Sequence, residues 1–308
     1  MITYSIGLKN KFRGITVREG MLFEGPAGWA EWSPFLDYDD ATCVSWLRAA
    51  REAAELGWPA PVRDRVPVNC TVPAIGPEKA ADIVRASGCG TAKVKVAEPG
   101  QTLADDVARV EAVRDAIGAG QVRIDANGAW SVEQAVRSLK ELQRFDLEYV
   151  EQPARTVEEL AEVRRRVDVP VAADESIRRA EDPLLVKKLD AADIAVLKVQ
   201  PIGGVRACLE IAEQIGLPVV VSSALETSVG IAAGVALAAA LPELPYACGL
   251  ATVSMFTSEL VAKPLVAVDG FLPVKRVVPD PELVEAARAD AERTAVWEER
   301  LMRVRSAG

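Results

Sequence analysis

Six charged residues recur at intervals that could assemble a reaction centre. They are Lys93 and Lys95 in TAKVKV, Asp125 in RIDANGAW, Glu151 in YVEQPA, Asp174 in VAADES and Lys198 in IAVLKVQPIGG. Each lies at the end of an apolar, β-branched run. From Lys95 the run ends fall 30, 26, 23 and 24 residues apart, and Ser222 follows after another 24. Side chains alternate along a strand, so Lys93 and Lys95 share one face while Ala92, Val94 and Val96 share the other. Taken singly, each piece has a bland explanation: a half-exposed strand with solvated lysines, an Asn127-Gly128 turn, a Gln152-Pro153 strand exit, an Asp174-Glu175-Ser176 helix cap. Together they put one carboxylate at the end of each of three consecutive strands, with lysines on both sides.

Three convergent carboxylates repel one another unless they share a cation, and an all-oxygen set suits Mg²⁺, with Mn²⁺ possible. The expected metal ligands are Asp125, Glu151 and Asp174. Asn127 faces the same way as Asp125 and could steady the metal site or simply form the turn. The chain has no histidine, which excludes Ser-His-Asp and Cys-His catalysis and any histidine-ligated metal. A substrate carboxylate on the cation would hold its α-carbon between Lys95 and Lys198, with Lys93 and the metal stabilising the enediolate that proton abstraction leaves. A lysine that acts as a base near pH 7 must spend part of its time neutral, which burial and a neighbouring cation favour.

The elements that must position these residues follow from the same beat. Thr102-x-x-Asp105, Ser131-x-x-Gln134 and Thr156-x-x-Glu159 match capping boxes a few residues after strand ends. Behind the first, Val107, Val110, Val113 and Ile117 form a helical stripe. Pro67, Pro170 and Pro218 each precede an apolar run and are expected at the first position of a strand, where no ladder donor is needed. Repeating strand-helix units from about Val66 to about Leu250, without GxGxxG or a Walker loop, predict a closed parallel barrel. In a barrel the lysines of TAKVKV point into the mouth and the alanine and valines toward the helices.

Residues 1–64 have a different texture and predict an α+β element. Residues 65–257 would be the barrel, and the charged segment within 258–308 either a solvated outer helix or a return pass onto the first element. A formal net charge of −9 argues against nucleic acid and leaves a small anionic carboxylate as partner. The oligomeric state is not legible. Five scattered cysteines without CxxC spacing, and an opening MITYSIGLKN unlike a signal peptide, predict a reduced, cytoplasmic setting. VGIAAGVALAAAL is too short and glycine-broken to span a membrane and predicts a helix packed closely on a sheet.

At these residues the chain resembles the enolase superfamily, in particular its muconate-lactonising-enzyme-like branch with lysines on both faces of the substrate. The matching pieces are Lys93-x-Lys95, Asp125-x-Asn127, Glu151-Gln-Pro, Asp174-Glu-Ser and Lys198. The resemblance implies a modified (β/α)₇β TIM barrel and an N-terminal α+β capping domain completed by the C-terminal tail. The short chain, KFRGITVREGML, SSALETSVG and ACGLAT look like the compact bacterial hydro-lyases of that branch, which remove water from a cyclohexadiene carboxylate carrying a succinyl chain. It further implies that Lys95 takes the α-proton and returns it to the departing hydroxyl in a syn elimination. Lys198 would stabilise the enediolate by a cation–π contact, and Ser222 and Gly249 would hold the succinyl end through backbone groups.

Arg13 and the aromatic loop (Trp29, Trp32, Phe35, Tyr38) could close over substrate or pack within the cap. Arg123 could be a structural ion pair or a substrate contact, and Cys70 and Cys248 are expected as small buried hydrophobes. Three rival functions remain open: an N-acylamino acid racemase using Lys95 and Lys198 as two bases, a metal-free lyase with a Schiff base on Lys198, and a non-catalytic barrel.

Overall fold

The N-terminal hairpin pairs β1 (Ile2–Phe12) with β2 (Ile15–Gly25), and β3 (Gly28–Trp32) adds antiparallel to β2. The hairpin turns at Arg13-Gly14, both with positive φ (50° and 81°), where glycine carries no Cβ penalty. In this computed structural model, which describes residues 1–178 and 182–308, the hairpin sheet packs on a helix at Asp40–Arg51. Asp39 caps that helix by accepting from the Thr42 amide at 2.8 Å, and it runs on through a π turn at Glu52–Leu56. The C-terminal segment returns onto this element as helices Pro281–Ala286 and Ala291–Ala307. Trp297, Leu301 and Val304 are buried among Trp32, Phe35, Trp46 and Leu47, with Trp32 and Trp297 edge-on at 5.5 Å. Of the two expectations for the tail, the return pass is the one found.

The second unit begins with β4 (Arg65–Pro67). Seven parallel strands follow in sequential spatial order: β5 (Cys70–Val72), β6 (Thr91–Lys95), β7 (Gln121–Asp125), β8 (Leu147–Glu151), β9 (Val171–Ala173), β10 (Ile194–Leu197) and β11 (Val219–Val221). The sheet closes through a two-residue bridge. Gly249 lies beside Ser222 and Cys248 beside Val68. The Cys248 amide donates to Pro67 (2.7 Å), and the Asn69 amide donates to Cys248 (2.9 Å). The eighth strand is therefore only Cys248-Gly249. A Cβ on Gly249 would stand 2.6 Å from the Ser222 hydroxyl, so only glycine allows this approach.

The three capping boxes form as expected, at Thr102, Ser131 and Thr156, each opening a helix between strands. Ala92, Val94 and Val96 pack in the outer core under those helices. The small-residue helix Ser228–Ala240 is buried over almost its whole length, and Gly234 lets it lie against Leu250. Pro170 and Pro218 stand immediately before β9 and β11 and lend only their carbonyls to the ladder. Pro67 departs from expectation: it ends β4, which pairs antiparallel with β12 (Phe271–Pro273). The barrel strand starts three residues later, at Cys70, because a partner some two hundred residues downstream claims the proline's segment. All five cysteines are free and buried, and burial pushes the Cys70 thiol up to about 11 and Cys248 up to about 12. No helix among the described residues is long and apolar enough to cross a membrane.

Candidate active site

The strand register decides which side chains share the mouth. Lys95 pairs with Asp125 across β6 and β7, and Asp125 with Glu151 across β7 and β8. Asp174 and Lys198 follow one residue beyond β9 and β10. Asp125, Glu151 and Asp174 are wholly buried, and Lys93 and Lys198 nearly so. The Lys95 ammonium donates to Asp125 Oδ2 (2.6 Å) and Asn127 Oδ1 (2.8 Å). Lys93 donates to both Glu151 oxygens (3.0 and 3.1 Å) and stands 3.3 Å from Asp125. Lys198 donates to Asp174 Oδ2 at 2.6 Å.

All six residues anticipated as the reactive set thus meet at one rim, but the three carboxylates do not form the expected cage. Among the described residues no three acidic or thiol side chains stand in a ligating cluster. Buried carboxylates are costly unless paired, and the chain's own cations pair them here. Against the effect of burial, Lys95 and Lys93 hold the Asp125 carboxyl well below the carboxylate range, and Arg178 and Lys198 do the same for Asp174. Burial lowers the Lys93 ammonium, but Glu151 and Asp125 more than offset it and raise it. Glu151 goes the other way, pushed up to about 7 by burial and then by Asp125, despite Lys93. A buried all-oxygen set whose middle member is under-neutralised fits a hard divalent cation by its chemistry.

Several residues outside the anticipated set tie this rim together. Arg178 reaches Asp174 Oδ1 (2.8 Å), Glu175 Oε1 (2.5 Å) and the Tyr38 hydroxyl of the cap (3.1 Å). Its spacing of four from Asp174 was the available signal. Gln152, fully buried at φ 39°, accepts from the amides of Asp174 (3.0 Å) and Ser176 (3.1 Å) and donates to Ala154 O (2.9 Å) and Ser176 Oγ (2.7 Å). From the cap, the Phe12 ring centroid lies 5.3 Å from the Lys95 ammonium. Glu31 plugs the N-terminus of helix Ser228–Ala240, accepting from the Thr227 and Gly230 amides, each at 3.1 Å, and from Tyr4 (2.8 Å). Arg18 clamps the loop after β11 through Leu225 O (2.9 Å).

Asn127 turns the chain at φ 48° and links Lys95 to Glu175. One expectation needs correction, and for Arg123 one of the two open readings is found. The amides of Ser222 and Gly249 donate to Leu197 O (2.9 Å) and Val221 O (2.8 Å), so the β10–β11 ladder and the closing bridge consume the backbone donors of the two residues whose backbone groups were expected to meet substrate. Arg123 is a structural ion pair one layer below the carboxylates, bound to Glu148 (2.8 Å), Tyr149 OH (2.9 Å) and Ala247 O (2.8 Å). Arg13 lies within the cap loop, 4.0 Å from the Phe35 centroid and 3.3 Å from Asp37. Trp32 and Phe35 are cap core, Trp29 packs partly against it, and Tyr38 faces Arg178.

A parallel barrel with acidic strand ends flanked by lysines, under an α+β cap, defines a class. The family described as Enolase C-terminal domain-like matches residues 77–280, and Enolase N-terminal domain-like matches residues 3–54. The chain belongs to the enolase superfamily.

Solved structures similar in fold include the L-Ala-D/L-Glu epimerase of Bacillus subtilis. It has TM-score 0.77 and 23% identity, covering 90% of this chain and 95% of that one. Muconate lactonizing enzyme of Pseudomonas fluorescens has TM-score 0.78 and 21% identity, covering 94% and 97%. At full length the chain groups with the o-succinylbenzoate synthases. That of Thermobifida fusca is 65% identical over 99% of this chain and 95% of its own. That of Mycolicibacterium smegmatis is 55% identical over 96% and 92%.

Proposed function

We propose that this chain is an o-succinylbenzoate synthase. It would remove water from 2-succinyl-6-hydroxy-2,4-cyclohexadiene-1-carboxylate, with Mg²⁺, to give o-succinylbenzoate for menaquinone biosynthesis. It is a carbon–oxygen lyase. The observation that carries this reading is the pair Lys95 and Lys198, delivered from strands on either side of three buried carboxylates and bonded to the outer two of them.

In this reading Lys95 removes the proton α to the ring carboxylate and returns it to the hydroxyl leaving from the same face. The C–H electron pair becomes the new ring double bond, the C–O pair leaves with the hydroxyl oxygen, and the proton handed back by Lys95 makes that oxygen water. Lys198, opposite, holds the delocalised anion through its positive charge. Lys93 bridges Asp125 and Glu151 and keeps both aligned. Asn127 steers Lys95, and Phe12 of the cap excludes water from it. Asp125, Glu151 and Asp174 would hold Mg²⁺, which supplies positive charge for the developing enediolate. The charge balance agrees: Lys93, Lys95, Lys198 and Arg178 offset Asp125, Glu151, Asp174 and Glu175, so a divalent cation and a dicarboxylate arrive as a neutral pair. Residues 1–64 and 258–308 together would act as the cap over barrel 65–257. Ser222, through its hydroxyl, and Arg13, at the hairpin tip, are the positions proposed to meet the succinyl end.

The test is turnover of the cyclohexadiene by wild type, Lys95→Ala and Lys198→Ala, with racemisation of an N-succinylamino acid assayed in parallel. Each alanine variant should lose roughly 10³-fold or more in kcat. EDTA should abolish turnover and Mg²⁺ restore it, and borohydride should trap no adduct. Near-normal turnover by Lys95→Ala would refute the mechanism, and racemisation without dehydration would reassign the site.

A further inference from the structure

The Arg178 guanidinium joins the turn after β9 to the cap. Its side chain is 7% exposed, and each of its three nitrogens has a different partner: Asp174, Glu175 and, from the cap, Tyr38. Through Asp174 it reaches Lys198, since the other oxygen of that carboxylate accepts from the Lys198 ammonium at 2.6 Å. Through Glu175 it reaches Lys95, because Glu175 Oε1 also takes Asn127 (3.4 Å), whose own oxygen accepts from Lys95 (2.8 Å). Both lysines therefore lead back to one planar fork, which a lysine at this position could not reproduce. A cavity of about 540 Å³ is lined by Arg178, Tyr38, Thr42 and Pro201 and by neither Lys95 nor Lys198. Arg178 thus stands as a wall between that solvent space and Asp174.

We propose that Arg178 is a positioning residue that registers the cap against both lysines and sets how strongly Asp174 competes for a divalent cation. The inference rests on the lyase reading of the site. Its two consequences run in opposite directions. A fixed positive charge 2.8 Å from Asp174 Oδ1 weakens cation binding, so removing it tightens binding. Removing the fork also frees Asp174, Glu175 and Tyr38 to move apart, which slows the chemistry. A merely structural arginine would weaken both together.

The experiment is Mg²⁺ titration by calorimetry on the full chain without substrate, alongside kcat and KM at saturating Mg²⁺. The variants are Arg178→Gln, Arg178→Lys and Tyr38→Phe. Arg178→Gln should bind Mg²⁺ roughly tenfold or more tightly, the scale of losing a unit charge near a divalent ion, while kcat falls about 100-fold. Arg178→Lys keeps the charge but not the fork, so Mg²⁺ affinity should stay within about threefold while kcat falls. Tyr38→Phe should leave Mg²⁺ affinity unchanged and lower kcat/KM. Mg²⁺ binding by Arg178→Gln that is unchanged or weaker, or a kcat within about twofold of wild type in both arginine variants, overturns the proposal. If Arg178→Gln does not fold, Arg178→Lys decides through its split between affinity and kcat. Should the lyase reading itself fail, wild type would not turn over the cyclohexadiene, and the Mg²⁺ titrations would still judge Arg178.

Discussion

Replacing Gln152 with methionine would remove no charge and little volume, yet it should be among the more damaging changes near the site. The Gln152 side chain closes four hydrogen bonds in a fully buried position, at 2.7 to 3.1 Å, and three of its partners are backbone groups: the Asp174 and Ser176 amides and the Ala154 carbonyl. Methionine offers them nothing, while the positive φ is unchanged. An orphaned buried backbone group costs on the order of 1–2 kcal/mol, so the three together cost roughly 3–6 kcal/mol. At about 2 °C per kcal/mol for a chain of this size, that lowers Tm by roughly 6–12 °C. The loss falls on the turn that aims Asp174, so Mg²⁺ affinity should drop by about tenfold, as for other groups that orient metal ligands. Urea unfolding gives the first quantity and Mg²⁺ calorimetry the second. A Gln152→Met protein that unfolds within 1 kcal/mol of wild type in urea and binds Mg²⁺ equally well would show that this amide does not hold the strand ends in place.

Two other predictions concern the cap, one at its joint with the barrel and one in its core. Glu226 is buried beside Glu31 and faces Arg18, Gln200 and the Ala224 amide; burial and then Glu31 push its carboxyl up to about 7. With the folded value above the ordinary one, its contribution is complete below about pH 4.5 and is lost as pH rises through 7. The loss is up to about 3 kcal/mol, and the difference in urea midpoint between wild type and Glu226→Gln, followed from pH 4.5 to 8, should trace it; a pH-independent difference would contradict it. Trp297 is fully buried against Trp32, with its indole nitrogen 3.2 Å from Glu19, so Trp297→Ala should cost about 3–5 kcal/mol. Hydrogen exchange over 291–307 should accelerate with it; unchanged exchange there would mean the tail is held by other contacts.

What could be read from the chain, and what could not, divides by whether the partner is local. A capping box names its own two residues, so Thr102, Ser131 and Thr156 identified helix starts without any knowledge of the sheet. The two-residue period of TAKVKV, joined to a parallel sheet with buried outer faces, left only one way for Lys93 and Lys95 to point. Pro67 carried a local signal that was overruled from Phe271, and nothing near Pro67 announces that claim. The amide of Gly249 looked available because the two-residue bridge that consumes it is too short to register as a strand, while that of Ser222 simply continues the β10–β11 ladder. Gln152 escaped because its main partners lie beyond the next strand, and Arg178 because its cap partner is 140 residues away, although its pairs with Asp174 and Glu175 are local.

This division bears on how such a site keeps its precision. The charged set sits on strand ends that the barrel register fixes, so the lysines and carboxylates would remain near one another in any closed version of this sheet. The cap is tied to the barrel by groups outside that charged set: Arg178 to Tyr38, Arg18 to the loop after β11, Glu31 to the helix at Ser228. Changes in the cap can therefore alter the angle between Lys95, Lys198 and a bound substrate while leaving every charged residue in place. Function on such a barrel thus depends on contacts that an inspection of the catalytic motifs alone would pass over.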